Sequence, residues 1–114
     1  MLKIYGITNC DTMKKAFAWL TARGIAYEFI DYKKPELVDK LLPEWSERAG
    51  WEQLLNTRGM MWKRLSDEER ANVDEDKALL LMTDYPTLIK RPLADDGSEL
   101  LVGFDPEHYA RFER

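Results

Sequence analysis

The segment that decides the fold spans residues 2–32, LKIYGITNCDTMKKAFAWLTARGIAYEFIDY. Its first residues, Leu2–Tyr5, alternate in the way that predicts a short strand. Apolar residues at helical spacing predict a helix over Asp11–Arg23, and Gly24 suits a left-handed stop. The aromatic and β-branched residues of Ile25–Tyr32 predict a second strand. The segment is therefore a predicted βαβ unit with a right-handed crossover.

In the remaining sequence the spacing of the apolar residues changes twice, from a helical pattern to a strand pattern and back. Residues 35–86 have a helical pattern that is cut into pieces, and Pro43 predicts a kink or a restart. The dipeptide Asp96-Gly97 lies between two short apolar runs and predicts a β-hairpin. Asp105 followed by proline predicts the start of a final helix through about Phe112. The predicted order is βαβ, a helical insertion and ββα, in one domain over residues 1–114.

The composition excludes several classes of function. The net charge of −4 gives no general attraction to nucleic acid or to an anionic membrane. The longest apolar runs, such as residues 78–82, are too short to cross a bilayer, and no signal peptide is predicted. One cysteine excludes an internal disulfide, and Cys10 with His108 cannot supply a structural zinc site. We expect a cytoplasmic protein that holds no metal.

Cys10 lies where the first predicted strand passes into the first helix. Unpaired N–H groups at a helix start favour the thiolate, which is the nucleophilic form, and Lys14 adds a cation one turn on. Asp11 acts in the opposite direction. A packed small side chain is the alternative, but ligands commonly bind at this edge of α/β sheets, so we predict a nucleophile. Thr8 and Asn9 are candidates for capping the helix or binding the thiolate, and both, together with Lys14, are candidates for binding a substrate.

The dipeptide Arg91-Pro92 stands just before the third predicted strand. An X-Pro bond can be cis in a constrained turn. Arginine is always charged and can hold an oxyanion or a carboxylate through two hydrogen bonds. A solvated surface arginine is the alternative that this dipeptide alone leaves open.

Several short motifs occur in one order along nearly the whole chain: YG (5–6), NCDT (9–12), WEQLLNTRG (51–59), WKRL (62–65), PTLIKRPL (86–93) and GFDP (103–106). In these motifs the chain resembles the arsenate reductase and Spx-like family, and most closely its small YffB-like branch. The resemblance implies an α/β, thioredoxin-like fold: a four-stranded mixed sheet with a helical insertion after the second strand. It also implies that Arg91 lies beside Cys10 and that the Arg91-Pro92 bond is cis.

The function that the resemblance implies is that of a glutathione-dependent monothiol oxidoreductase. Cys10 would attack a disulfide or a small oxyanion, and glutathione would resolve the mixed disulfide as a co-substrate rather than a bound cofactor. Arg91 would stabilise the thiolate and the bound anion, and the backbone at Pro92 would pair with a thiol substrate. We expect a monomer that does not bind nucleic acid.

Three positions depart from the pattern of the family. Met13 stands where thioredoxins and many Spx proteins have a second cysteine, so a redox cycle needs an external thiol. Asn56 and Gly103 stand where arsenate reductases have two further arginines, and Arg58 is a candidate substitute for the first. Two alternatives remain open: a regulator that binds RNA polymerase or another protein, as Spx relatives do, and, ranked last, arsenate reduction itself.

Overall fold

The central feature of the computed structural model, which describes residues 1–113 and only the backbone of Pro35, is one mixed β-sheet. Its strands are β1 (Leu2–Gly6), β2 (Tyr27–Asp31), β3 (Leu93–Asp95) and β4 (Leu100–Val102). They lie in the order β2-β1-β3-β4, with β1 parallel to β2 and the other pairs antiparallel. This arrangement confirms the predicted fold class. Arg114, at the end of the predicted domain, lies outside the described residues.

Seven α-helices occur in the described part of the chain. They are α1 (Asp11–Ala22), α2 (Pro35–Ala49), α3 (Trp51–Leu54), α4 (Met60–Arg64), α5 (Asp67–Arg70), α6 (Glu75–Asp84) and α7 (Pro106–Tyr109). Single 3-10 turns follow α6 at Pro86–Leu88 and α7 at Ala110–Glu113, so the predicted final helix is split in two. None of the helices in residues 1–113 has the length and hydropathy that a membrane span requires.

The backbone contacts divide the chain into two compact units. The sheet unit contains Met1–Tyr32 and the chain from Arg91 onward, and the helical unit contains Lys33–Lys90. The predicted insertion of residues 35–86 falls inside the helical unit. That the whole chain forms a single domain stays a prediction.

In the sheet unit, one apolar cluster joins the sheet to α1 and α7. Alternate residues of β1 point the same way, and the register of β1 with β3 places Ala94 beside Ile4. The buried members of the cluster are Leu2, Ile4, Met13, Ala16, Leu20, Ala94 and Tyr109. The helical spacing of Met13, Ala16 and Leu20 therefore marks the face of α1 that packs on the sheet.

Gly6 and Met13 form a close contact in this cluster. A Cβ atom at Gly6 would lie 2.4 Å from both Sδ and Cε of Met13, and Met13 is only 1% exposed. The space above Gly6 is thus filled by the thioether. The position where thioredoxins have a second cysteine is a packed core position in this chain.

In the helical unit, α2 runs without interruption through Pro43. Of the two predicted effects of Pro43, a restart of the helix is therefore wrong, and a kink stays a prediction. Proline removes one backbone N–H from the helix, but Val38, Leu42 and Trp45 on its apolar face are at most 1% exposed. Because tertiary burial supplies most of the stability of a helix, this packing offsets the missing hydrogen bond.

The predicted helix ends in the same unit are confirmed. Gly50 ends α2 with φ = 87°, a conformation that favours glycine. Ser66 and Glu69 form a reciprocal capping box at the start of α5. Asp74 accepts the Lys77 N–H at the start of α6.

Candidate active site

The topology of the sheet unit brings three distant parts of the chain to one edge of the sheet. The parallel strands β1 and β2 end side by side, since Gly6 pairs with Asp31 and the Tyr32 N–H bonds the Gly6 carbonyl at 3.0 Å. The antiparallel strand β3 begins at this edge, where Leu93 pairs with Tyr5. The loop after β1 leads to Cys10 in the same region. Cys10, Tyr32 and Arg91 are gathered there.

Cys10 is the N-cap residue of α1. Its backbone is extended (φ = −125°, ψ = 126°), and its carbonyl accepts the Lys14 N–H at 3.0 Å. The side chain is half-buried. It makes no capping hydrogen bond by the geometry of α1, but the N–H groups of Met13 and Thr12 at the helix start act on Sγ and lower the pKa of the thiol.

The surroundings of Cys10 favour its thiolate. Burial by itself raises the pKa of the thiol. The Met13 N–H, the Arg91 guanidinium and the Thr12 N–H together outweigh burial, so that the pKa of Cys10 lies below its ordinary value. The stabilisation thus comes both from the helix start, as the sequence predicts, and from an arginine far along the chain.

Arg91 lies between two acceptors. Its half-buried guanidinium donates hydrogen bonds to Cys10 Sγ and to the hydroxyl oxygen of Tyr32. Burial would lower the pKa of Arg91, but these two hydrogen bonds hold that pKa above its ordinary value. Arg91 is therefore the cation that acts directly on the thiol.

Tyr32 is the residue of this site that sequence reasoning missed. It is 0% exposed, and burial raises the pKa of its hydroxyl to about 12. The hydroxyl is thus protonated, and its oxygen is an acceptor for Arg91. The sequence contained one indication of this role. Tyr32 directly follows the second predicted strand, and because parallel strands end at the same edge of a sheet, a residue there lies near Cys10.

Pro92 is buried, and its peptide bond with Arg91 is cis. The Pro92 carbonyl accepts the Gly103 N–H at 2.8 Å. Gly103 has φ = 83°, in the left-handed region that favours glycine. The glycine at a position where arsenate reductases have an arginine therefore has a backbone role in this chain.

One predicted role of the residues that flank Cys10, the capping of α1, is not found. Cys10 itself is the N-cap, so the prediction that Thr8 or Asn9 caps α1 is wrong. Asn9 has φ = 59°, which asparagine tolerates better than most residues, and its exposed side chain follows from the turn into the helix. The Lys14 side chain is exposed on α1. Roles for Thr8, Asn9 and Lys14 in substrate binding stay predictions.

Arg58 belongs to the helical unit. Its N–H bonds Asn56 Oδ1 at 3.1 Å, so Asn56 shapes the turn in which Arg58 lies. Arg58 and Lys90 line a cavity of about 540 Å³ together with Trp51, Glu52, Leu55, Asn56 and Thr57. The backbone of this wall is fixed, because the Asn56 N–H bonds the Leu88 carbonyl at 2.7 Å and the Lys90 N–H bonds the Leu54 carbonyl at 2.8 Å. Contact of Arg58 with Cys10 stays a prediction.

Comparisons with known proteins agree with this picture. The model of the ArsC family matches residues 5–112. The solved structure of the YffB protein superposes with a TM-score of 0.87 at 39% identity, over 100% of both chains. That of an arsenate reductase (ArsC) related protein from Brucella melitensis gives 0.80 at 44% identity, over 96% of this chain and 92% of the other.

A third relative belongs to a class of regulators. The global transcriptional regulator Spx 1 of Lactococcus lactis is 26% identical over 115 residues, which cover 98% of this chain and 88% of the relative. The same short scaffold thus occurs in proteins with reductase names and in proteins with regulator names. The match of the family model, together with these similarities over nearly the full length, shows that the chain belongs to the ArsC family.

Proposed function

We propose that the protein is a monothiol reductase that uses Cys10 as its nucleophile and glutathione as its electron donor. The observation that supports this most directly is that the only cysteine of the chain lies at the start of α1, where a hydrogen bond from Arg91 lowers the pKa of its thiol. Because the thiolate is the reactive form, a site that stabilises it raises the reactive fraction at neutral pH.

The proposed reaction has two thiol–disulfide exchanges. In the first, the Cys10 thiolate attacks the glutathione sulfur of a mixed disulfide RS–SG, so that Cys10–S–SG forms and RS⁻ leaves and takes a proton. In the second, a glutathione thiolate attacks Cys10–S–SG, which regenerates the Cys10 thiolate and releases GSSG. The sum is RS–SG + GSH → RSH + GSSG. No second protein cysteine takes part.

Arg91 would contribute to both exchanges. It stabilises the attacking thiolate in the first and the departing Cys10 thiolate in the second, because a thiol of lower pKa is the better leaving group. Its fixed charge also suits a small oxyanion or a substrate carboxylate near the sulfur. A reducing compartment, such as the cytoplasm, is where this chemistry would operate.

Arsenate reduction is the less favoured form of this chemistry. Arsenate carries negative charge, and the resemblance implies that arsenate reductases of the glutaredoxin-coupled type bind it with three arginines. At two of those positions this chain has Asn56, which accepts the Arg58 N–H, and Gly103, whose positive φ supports the bond to Pro92. Both residues hold local backbone structure, so the anion site rests on Arg91.

Turnover of a glutathione mixed disulfide tests the proposal. We expect the purified protein to accelerate reduction of the mixed disulfide of 2-hydroxyethanethiol by glutathione, followed through coupled reduction of GSSG. Kinetics should be of the ping-pong type, since a covalent intermediate separates the two thiols. Mass spectrometry should find one glutathione on Cys10 at the steady state. No acceleration over the reaction without protein, and no adduct, would contradict the proposal.

A regulator is the second candidate, favoured by the likeness to Spx 1 over nearly the full chain. In that case the protein would bind RNA polymerase or another protein rather than turn over a thiol. We expect such binding to be equal for the wild type and Cys10→Ser when purified RNA polymerase is titrated against immobilised protein. Absence of saturable binding would remove this candidate for the polymerase.

A further inference from the structure

We propose that Tyr32 is a positioning residue, whose buried hydroxyl holds the Arg91 guanidinium against Cys10 whether or not the sulfur is charged. This inference rests on the proposed role of Cys10 as a nucleophile. It adds a residue that neither the motifs nor the resemblance indicates.

Tyr32 is held in place at the end of the sheet. Its N–H bonds the Gly6 carbonyl at 3.0 Å, so its backbone is fixed to the end of β1, the strand that leads to Cys10. Its side chain is 0% exposed. A fixed backbone and a buried ring leave the hydroxyl little freedom, which is what a positioning group requires.

Arg91 needs more than one hydrogen bond to keep its orientation. An arginine has several rotatable bonds, and one hydrogen bond to sulfur does not fix its orientation. A hydrogen bond to the Tyr32 oxygen gives the guanidinium an anchor besides the sulfur. The planar fork of arginine suits this arrangement, since it offers five N–H donors in a rigid geometry.

The charge on the Cys10 sulfur changes during the proposed cycle. While Cys10 is in a mixed disulfide, its sulfur is neutral and no longer attracts Arg91 as an ion. The hydroxyl of Tyr32 stays protonated at neutral pH, since burial raises its pKa to about 12. The Tyr32 bond to Arg91 therefore persists through the cycle. Arg91 remains in place to receive the negative charge when the Cys10 thiolate leaves.

The charged and titratable groups that act on Cys10 and Tyr32 come from β2, from the start of α1 and from the segment before β3. Arg91 acts on both Cys10 and the Tyr32 hydroxyl; besides burial, Cys10 and Asp31, the latter at the end of β2, raise the pKa of that hydroxyl. Asp11 follows Cys10 in α1. Because burial raises the pKa of Tyr32 to about 12, a change in the pH profile of Cys10 in Tyr32→Phe would reflect the position of Arg91 rather than ionisation of the phenol.

The pH dependence of Cys10 alkylation by iodoacetamide tests the proposal, and it needs no glutathione. In Tyr32→Phe we expect the inflection to move to higher pH and the rate at pH 6–7 to fall about two- to tenfold, as for loss of one hydrogen bond. Tyr27→Phe is the matched control, because it removes a hydroxyl at the other end of β2, and it should leave the profile unchanged. An unshifted profile in Tyr32→Phe overturns the proposal even if the protein is a reductase.

Two further measurements separate positioning from a general structural effect. If Tyr32 acts through Arg91, then Tyr32→Phe should cause no further loss of rate in an Arg91→Ala background. An equal loss in both backgrounds overturns the proposal. Should Tyr32→Phe not fold, the Arg91 guanidinium can be observed by ¹⁵N NMR in Cys10→Ser, where restricted rotation supports an anchor at Tyr32 and free rotation contradicts it.

Discussion

Replacing Cys10 by serine is expected to abolish thiol transfer. A hydroxyl is essentially un-ionised at neutral pH and cannot form the disulfide intermediate, so the rate should fall to that of the uncatalysed exchange, a loss on the order of a thousandfold or more. The measurement is turnover of the glutathione mixed disulfide, with the adduct on residue 10 followed by mass spectrometry. Residual turnover of Cys10→Ser above the uncatalysed rate would contradict a role of Cys10 as nucleophile.

The local structure makes serine a clean replacement. Cys10 is the N-cap of α1, a position at which serine is one of the favoured residues and can bond the N–H groups of the first turn. At a pH low enough to protonate the Cys10 thiol of the wild type, the midpoint of urea unfolding should therefore be unchanged or raised in Cys10→Ser. A loss of activity without a loss of stability assigns the effect to the sulfur.

Replacing Arg91 by alanine is expected to raise the pKa of Cys10 and to slow its reactions at neutral pH. The variant loses a charge-assisted hydrogen bond to sulfur, and bonds of that class correspond to about a tenfold change in the thiolate fraction below the pKa. We expect about tenfold slower alkylation at pH 6–7 and an inflection at higher pH. Above the ordinary thiol pKa, roughly 8.5, the two rates should converge, because both proteins are then thiolates.

Two other cations serve as comparisons. Lys14→Ala removes the exposed cation that the sequence places one turn from Cys10, and it should change the inflection less than Arg91→Ala does. Arg111→Ala removes an arginine of the sheet unit that is paired with Glu99, and it should leave the profile unchanged. A larger effect of Lys14→Ala would mean that the positive charge acting on Cys10 comes from its neighbour in the sequence and not from Arg91, which the fold brings to the site.

The same pKa shift fixes the sign of a stability effect. Because the thiol pKa is depressed in the folded protein, the thiolate contributes stability that is fully present above the unfolded pKa and is lost as the pH falls through the folded one. The free energy of unfolding of the wild type should therefore rise relative to Cys10→Ser between neutral pH and about pH 9. The rise should be smaller in Arg91→Ala.

Local signals were enough to predict most of the fold. The alternation in β1, the helical spacing in α1, the turn at Asp96-Gly97 and the cap at Asp105 each act within a few residues, and each appears in the structure. The same local reasoning was wrong at Pro43. A proline is a weak breaker when the opposite face of its helix is fully buried, and that burial depends on residues elsewhere in the chain.

The candidate site was predicted only in part, for a related reason. Cys10 could be chosen because the helix start lies next to it in the sequence, and Arg91 because the resemblance placed it there. Tyr32 had no motif, and its role depends on the parallel register that sets Gly6 beside Asp31. The capping role given to Thr8 and Asn9 failed because the turn at Asn9 shifts the N-cap to Cys10.

The packing of Met13 over Gly6 has a kinetic consequence. In the proposed cycle, with a thioether in place of a second thiol, the mixed disulfide on Cys10 has no second protein thiol to release it, so we expect its release by an external thiol to be second order. The lifetime of the adduct should then vary inversely with the concentration of free thiol in the surroundings. When the concentration of free thiol falls, the fraction of protein in the mixed-disulfide form should rise. This fraction would therefore report the concentration of free thiol.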